Sequence, residues 1–207
     1  MHTITQATYE HILPRGFYLR PTLTVARNLL GKTLVRMHPD YGRLAARIVE
    51  IEGYLGFDDR ASHARFGETE ANRTEFEGAG HAYVFQVFGV YYCLDIVTGP
   101  VGVPTVVFIR AGEPVEGIEA MEKLRGGRVR RARDLTSGPS KLCQALGITR
   151  ALDGQDVCIE GPLYVTNGQP QDFDIVQTTR VGVSYAGEDK DKPWRFYIKD
   201  NPYVSKR

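Results

Sequence analysis

Ile48-Val49-Glu50-Ile51-Glu52-Gly53-Tyr54-Leu55 alternates with a period of two. In an extended chain this puts Val49, Ile51 and Leu55 on one face and Glu50, Glu52 and Tyr54 on the other. The segment lies within a strand predicted over Arg47 to Leu55. Tyr83 to Val97 and Thr105 to Arg110 are equally rich in Val, Ile, Tyr and Phe, and the former is long enough to fold into a hairpin near Gly89. Thr22 to Leu30 reads as a short helix with Thr22 as N-cap and Gly31 as stop, followed by a strand over Thr33 to Met37. Glu113 to Leu124 reads as a helix with Pro114 in its first turn and apolar Ile118, Met121 and Leu124, and Ser137 to Leu146 as another, stopped by Gly147. Short strands are expected at Leu163 to Thr166, Arg180 to Ser184 and Arg195 to Ile198. Runs of strands with inserted helices predict an α+β fold.

Length and charge add boundaries to this picture. At 207 residues, with no repeat, low-complexity tract or linker, the chain is expected to form one domain, 1–207. Hydrophobic residues at 42% and charged residues at 25% suit a soluble globular protein, and no apolar run reaches membrane-spanning length. The first thirteen residues carry His2, Glu10 and His11 without an apolar stretch, so no signal peptide is expected and a cytosolic protein follows. Cys93, Cys143 and Cys158 are far apart and outside any CxxC spacing, which predicts free, mostly buried thiols. The net charge is +1, yet Lys123, Arg125, Arg128, Arg130, Arg131 and Arg133 form a basic run without an acid. Such a run grips phosphates, or is a solvated helix end and loop.

Two motif fragments are set aside by their context. Gly31-Lys32-Thr33 resembles the end of a phosphate loop, but Ala26 stands where that loop needs glycine, and the segment closes a helix instead of opening one. Asn72-Arg73-Thr74 fits a glycosylation acceptor, which has no meaning without secretion.

The remaining polar residues offer several chemistries. Glu50 and Glu52 beside Tyr54 are either the solvated face of an edge strand or a carboxylate base, Glu52, next to an aromatic pocket wall. Asp58, Asp59 and His63 with Glu52 would make an oxygen-and-imidazole metal site, although their spacing matches no defined metal motif. In the aromatic hairpin, Phe85 and Phe88 are three apart and therefore point to opposite faces, one able to line a pocket and the other to project as a wedge. A hairpin buried on both faces is the plainer reading. Arg110, ending an apolar strand, needs an acidic or phosphate partner if buried, and Glu52 is a candidate. Ser137-Gly138-Pro139-Ser140-Lys141 opens a helix with backbone N–H groups and a lysine, a second phosphate contact.

Four blocks together resemble the alkyladenine, or 3-methyladenine, DNA glycosylase family: 26–32, 48–56 with Ser62-His63, 83–93 continuing to Arg110-Ala111, and 137–146. Arg180 to Val183 and Lys192 to Ile198 fit it as well. The resemblance implies a single mixed domain around a curved antiparallel sheet, with a β-hairpin that enters the minor groove of double-stranded DNA. It implies a monomeric, monofunctional cytoplasmic enzyme of bacterial type, acting on chromosomal DNA without metal or organic cofactor, that flips alkylated purines (3-methyladenine, with 7-methylguanine, hypoxanthine and ethenoadenine as further candidates) and hydrolyses the N-glycosidic bond, leaving an abasic site. By the same resemblance Glu52 activates water held by Arg110 and the Val181 carbonyl, Tyr54 and Phe85 sandwich the base, His63 contacts it, and Asp95 lies on the pocket floor. Phe88 fills the gap left in the duplex, and Ser140, Lys141 and Arg125 are the expected DNA contacts.

The chain also departs from that family's pattern. Phe85 and Phe88 stand where tyrosines are common, and Asp95 where asparagine is usual; an ionised aspartate only accepts hydrogen bonds. Thr69 to Arg73 lacks the usual proline and arginine. The competing readings are a non-catalytic nucleic-acid module, since the fold is similar to RNA-binding C-terminal domains of formyltransferases, and a metal-dependent hydrolase.

Overall fold

The computed structural model describes residues 10–127 and 129–206. The first nine residues, His2 among them, and Arg128 of the basic run lie outside that description. Two short helices, α1 (Arg15–Tyr18) and α2 (Thr22–Leu29), precede the hairpin of β1 (Thr33–His38) and β2 (Gly42–Tyr54). β3 (Ala82–Val87), β4 (Tyr91–Thr98) and β5 (Thr105–Glu116) form a meander, followed by α3 (Ile118–Leu124) and α4 (Pro139–Ala145). β6 (Leu163–Thr166), β7 (Ile175–Thr178) and β8 (Arg195–Ile198) complete the α+β fold.

The alternating segment belongs to a central strand, not an edge. β2 pairs with β5 along one side and with β1 and then β8 along the other, every pairing antiparallel. The sheet order β3-β4-β5-β2-β1-β6, with β8 and β7 branching from β2, curls into a half-barrel. Register shifts in β2 on both sides of Glu50 are the kind of irregularity that bends a strand and tightens its twist. Val49 and Ile51 join Leu94, Ile96 and Ile109 in the core, which α2 and α4 cover. Gly53 keeps α2 close: a Cβ there would come within 2.6 Å of the Leu23 side chain.

Several boundaries differ from the sequence expectation. The helix predicted from Glu113 begins only at Ile118, because β5 continues to Glu116 and Gly117 turns the chain in the left-handed region at φ 77°. Pro114 thus sits in a strand, opposite Ala46 at a register shift, where a missing N–H is tolerated. Thr22 is inside its helix and bonds Thr98 at 2.9 Å, while Pro21 is the N-cap. Arg180 to Ser184 is a turn, and β7 takes the strand position before it. Cys93 and Cys143 are buried free thiols, and Cys158 is a half-buried one. Among the described residues no helix is long and apolar enough to cross a membrane.

Candidate active site

Strand register lines up one row of side chains across the concave face. Tyr83 on β3 stands opposite Asp95 on β4, Asp95 opposite Phe108 on β5, and Phe108 opposite Glu52 on β2, whose other neighbour is Arg195 on β8. Residues directly opposite in an antiparallel pair share a face, and so do residues two apart in one strand. The same face therefore carries Tyr54 beside Glu52, Phe85 beside Tyr83, and Arg110 beside Phe108.

Glu52 is fully buried. Its Oε2 accepts from the Tyr54 hydroxyl at 2.9 Å and from Arg110 at 3.3 Å, and its Oε1 accepts from the backbone N–H of Val181 at 2.7 Å. Arg110 also donates to Glu50 at 3.0 Å, and Arg195 donates to the same Glu50 oxygen at 2.9 Å. Two carboxylates thus meet two guanidiniums below the sheet surface, the arrangement a buried charge requires. Burial raises the Glu52 pKa above the ordinary carboxylate value; the charge of Arg110 and the bonds from Val181 and Tyr54 oppose the rise, and Glu50 adds to it.

A cavity of about 150 Å³ opens in front of Tyr54. Tyr54, His63, Phe85 and Phe108 wall it, and Asp95, Glu75 and Cys93 also line it. The rings of Tyr54 and Phe85 each meet Phe108, at 6.2 and 6.1 Å between centroids, and His63 stands edge-on to Phe85 at 4.8 Å. Burial lowers the His63 pKa and so keeps its ring neutral. Glu52 and Arg110 lie behind this lining, joined to it through the Tyr54 hydroxyl.

The hairpin divides its aromatics as their spacing predicts. Phe85 faces the cavity, whereas Phe88 at the tip is 93% exposed. Phe88 has φ 52° and Gly89 φ 70°, and the turn is braced by a bond from the Gln86 side chain to the Gly89 carbonyl at 2.8 Å. A bulky residue in the left-handed region costs roughly 1–2 kcal/mol.

The expected phosphate contacts separate. Arg131, Arg133, Ser137 and Lys141 border one polar depression of about 360 Å³. Ser140 turns its hydroxyl to Cys93, 3.8 Å from Sγ, and so abuts the aromatic cavity. Arg125 lies apart from both: its side chain is buried and bonded to Gln144, where α4 packs against α3. The four proposed metal ligands do not converge either. Asp59 accepts two bonds from Arg180, at 2.5 and 2.8 Å, and two from backbone N–H groups, while Asp58 is exposed. No group of three His, Cys, Asp or Glu among the described residues is arranged to hold a metal ion.

Two features escaped sequence reasoning. Arg180 lies over the Tyr54 ring at 4.5 Å and over Trp194 at 4.8 Å, fixing that wall from behind. Glu75, in the short 3-10 turn Arg73–Phe76, is 1% exposed and lines the cavity. Only its proximity to aromatic-rich strands in space reveals it.

A family model for methylpurine-DNA glycosylase matches residues 16–202. Curated relatives share the whole length. A protein of Methanocella arvoryzae named "Putative 3-methyladenine DNA glycosylase" is 56% identical over 196 residues, covering 95% of this chain and 96% of its own. Proteins of the same name from Carboxydothermus hydrogenoformans and Alkaliphilus oremlandii are 47% and 44% identical, covering 95% and 94% of this chain. With a match that spans every element of the concave face, the chain belongs to the methylpurine-DNA glycosylase family, enzymes that hydrolyse N-glycosyl bonds.

Proposed function

We propose that this glycosylase flips alkylated purines such as 3-methyladenine out of duplex DNA and releases them by attack of a water that Glu52 deprotonates. The observation that carries the reading is the Glu52 carboxylate, buried and held by Tyr54, Arg110 and Val181 directly behind an aromatic cavity. A carboxylate oxygen has two acceptor directions. Oε2 uses both, on Tyr54 and Arg110, whereas Oε1 uses one on Val181 and keeps one for water. Burial makes Glu52 a stronger base than a solvated carboxylate.

Cleavage passes through an oxocarbenium-like state, which a nearby carboxylate stabilises while it takes the proton from water. Alkylation at N3 or N7 leaves the purine cationic, so such a lesion departs without help. Tyr54 and Phe85 stack on the flipped base, His63 contacts its edge, and Asp95 meets it at the floor. Phe88 occupies the vacated position in the duplex; its exposure and its strained backbone support a site kept for contact with a partner surface. Lys141 and the backbone N–H of Ser140 in the first turn of α4 hold flanking phosphates, and Arg110 with the Val181 carbonyl orients the water.

The test is product analysis with methylated duplex DNA in excess EDTA. Free 3-methyladenine with an intact strand is the expected result; strand cleavage during release, or activity abolished by the chelator, contradicts the reading.

A further inference from the structure

Asp95 and Glu75 are 5% and 1% exposed, and Asp95 Oδ1 and Glu75 Oε1 have no hydrogen-bond partner among the described residues. Both carboxyls line the aromatic cavity, and among the described residues its lining includes no lysine or arginine. An unpaired ionised carboxylate in such a place is costly, so a proton on one of the two is the economical state. The other titratable groups that face them are Glu52 and Tyr54 from β2, Tyr83 from β3, Cys93 from β4, Cys143 from α4, and His63. Tyr185 lines the cavity as well. None of these supplies a cation at neutral pH, since burial lowers the pKa of His63.

We propose that Asp95 and Glu75 hold one proton between them and present it to a ring nitrogen of an uncharged flipped purine, as the catalytic acid that a cationic lesion does not need. The inference rests on the glycosylase reading above. In the step, the acid's O–H bond breaks as an N–H bond forms on the base, and the C1′–N bond breaks with its electron pair going to the base. A C1′–O bond forms from water, whose proton passes to Glu52. The carboxyl pair then recovers its proton from solvent, and Glu52 returns its own.

Two neighbouring acids that share a proton titrate as a unit. Burial pushes Glu75 up to about 8 and, with the Glu75 charge, holds Asp95 well above its ordinary range, which keeps the acid form at neutral pH.

The experiment measures single-turnover release of hypoxanthine and of 3-methyladenine, each from duplex DNA, across pH, by the wild type, Asp95→Asn and Glu75→Gln. The wild type is expected to lose hypoxanthine release at alkaline pH while 3-methyladenine release persists. Each variant is expected to lose at least tenfold more rate on hypoxanthine than on 3-methyladenine. Equal losses on both bases, or a wild-type hypoxanthine profile with no alkaline limb of its own, overturn the proposal. Release of 3-methyladenine without any hypoxanthine also overturns it and leaves the glycosylase reading standing; release of neither base removes both.

Discussion

Tyr54 donates its hydroxyl to Oε2 of Glu52 across 2.9 Å, although the two residues are neighbours on one face of one strand. The bond ties the proposed base to a wall of the cavity, and Arg180 over the ring fixes the same wall from behind. It also favours the ionised carboxylate, opposing the effect of burial. Tyr54→Phe keeps the ring and removes that opposition, so the Glu52 pKa rises further. Glu52 acts only when ionised, and the acid limb of the pH–rate profile is expected to move to higher pH, with a several-fold lower rate at pH 6. An unmoved limb would separate Tyr54 from the ionisation of Glu52.

Arg180 and Asp59 form a fully buried pair behind the Tyr54 wall. Removing one member strands the other, which typically costs about 3–5 kcal/mol. Asp59→Ala is expected to fall in that range by urea denaturation. A loss below 1 kcal/mol would mean that water reaches Arg180 once Asp59 is gone.

Phe88 carries a left-handed backbone without burying its ring. Asparagine tolerates that conformation better. Phe88→Asn is therefore expected to keep or raise the thermal midpoint while slowing excision from duplex DNA about tenfold or more. Unchanged excision contradicts the wedge role.

Glu75 Oε1 accepts no hydrogen bond from the described residues, and burial pushes its carboxyl from 4.5 up to about 8. A carboxyl raised on folding favours the folded state fully below its unfolded pKa, and that contribution is lost as pH rises through the folded value. The wild type is thus expected to lose stability between about pH 4.5 and 8, the interval set by Glu75. Glu75→Gln removes this dependence and is expected to be more stable than the wild type at pH 9 by ~2 kcal/mol, the scale of an unsatisfied buried group. Equal unfolding midpoints at pH 9 would show that the ionised Glu75 carboxylate carries no burial penalty.

Much of this arrangement was legible before any coordinates. Period-two alternation put Glu50, Glu52 and Tyr54 on one face, and the three-residue spacing divided Phe85 from Phe88. Alternation alone left open whether that face is solvated, because burial comes from the neighbouring strands β5 and β8, far away in sequence. Pro114 misled for a local reason: proline suits a first helical turn as well as an irregular strand, and the register opposite Ala46 decides between them. Arg125 read as a member of a basic run, yet the packing of α3 on α4 turns it inward. Glu75 and Arg180 had no readable pattern, since each acts through residues that only the folded sheet brings near.

The most direct test compares Glu52→Gln with the wild type on one methylated duplex, measuring binding and single-turnover base release side by side. Glutamine keeps the shape of the side chain and cannot take a proton from water. The account predicts comparable affinity with release slowed by about 10²–10⁴-fold, the usual contribution of a general base. Release at the wild-type rate would contradict it.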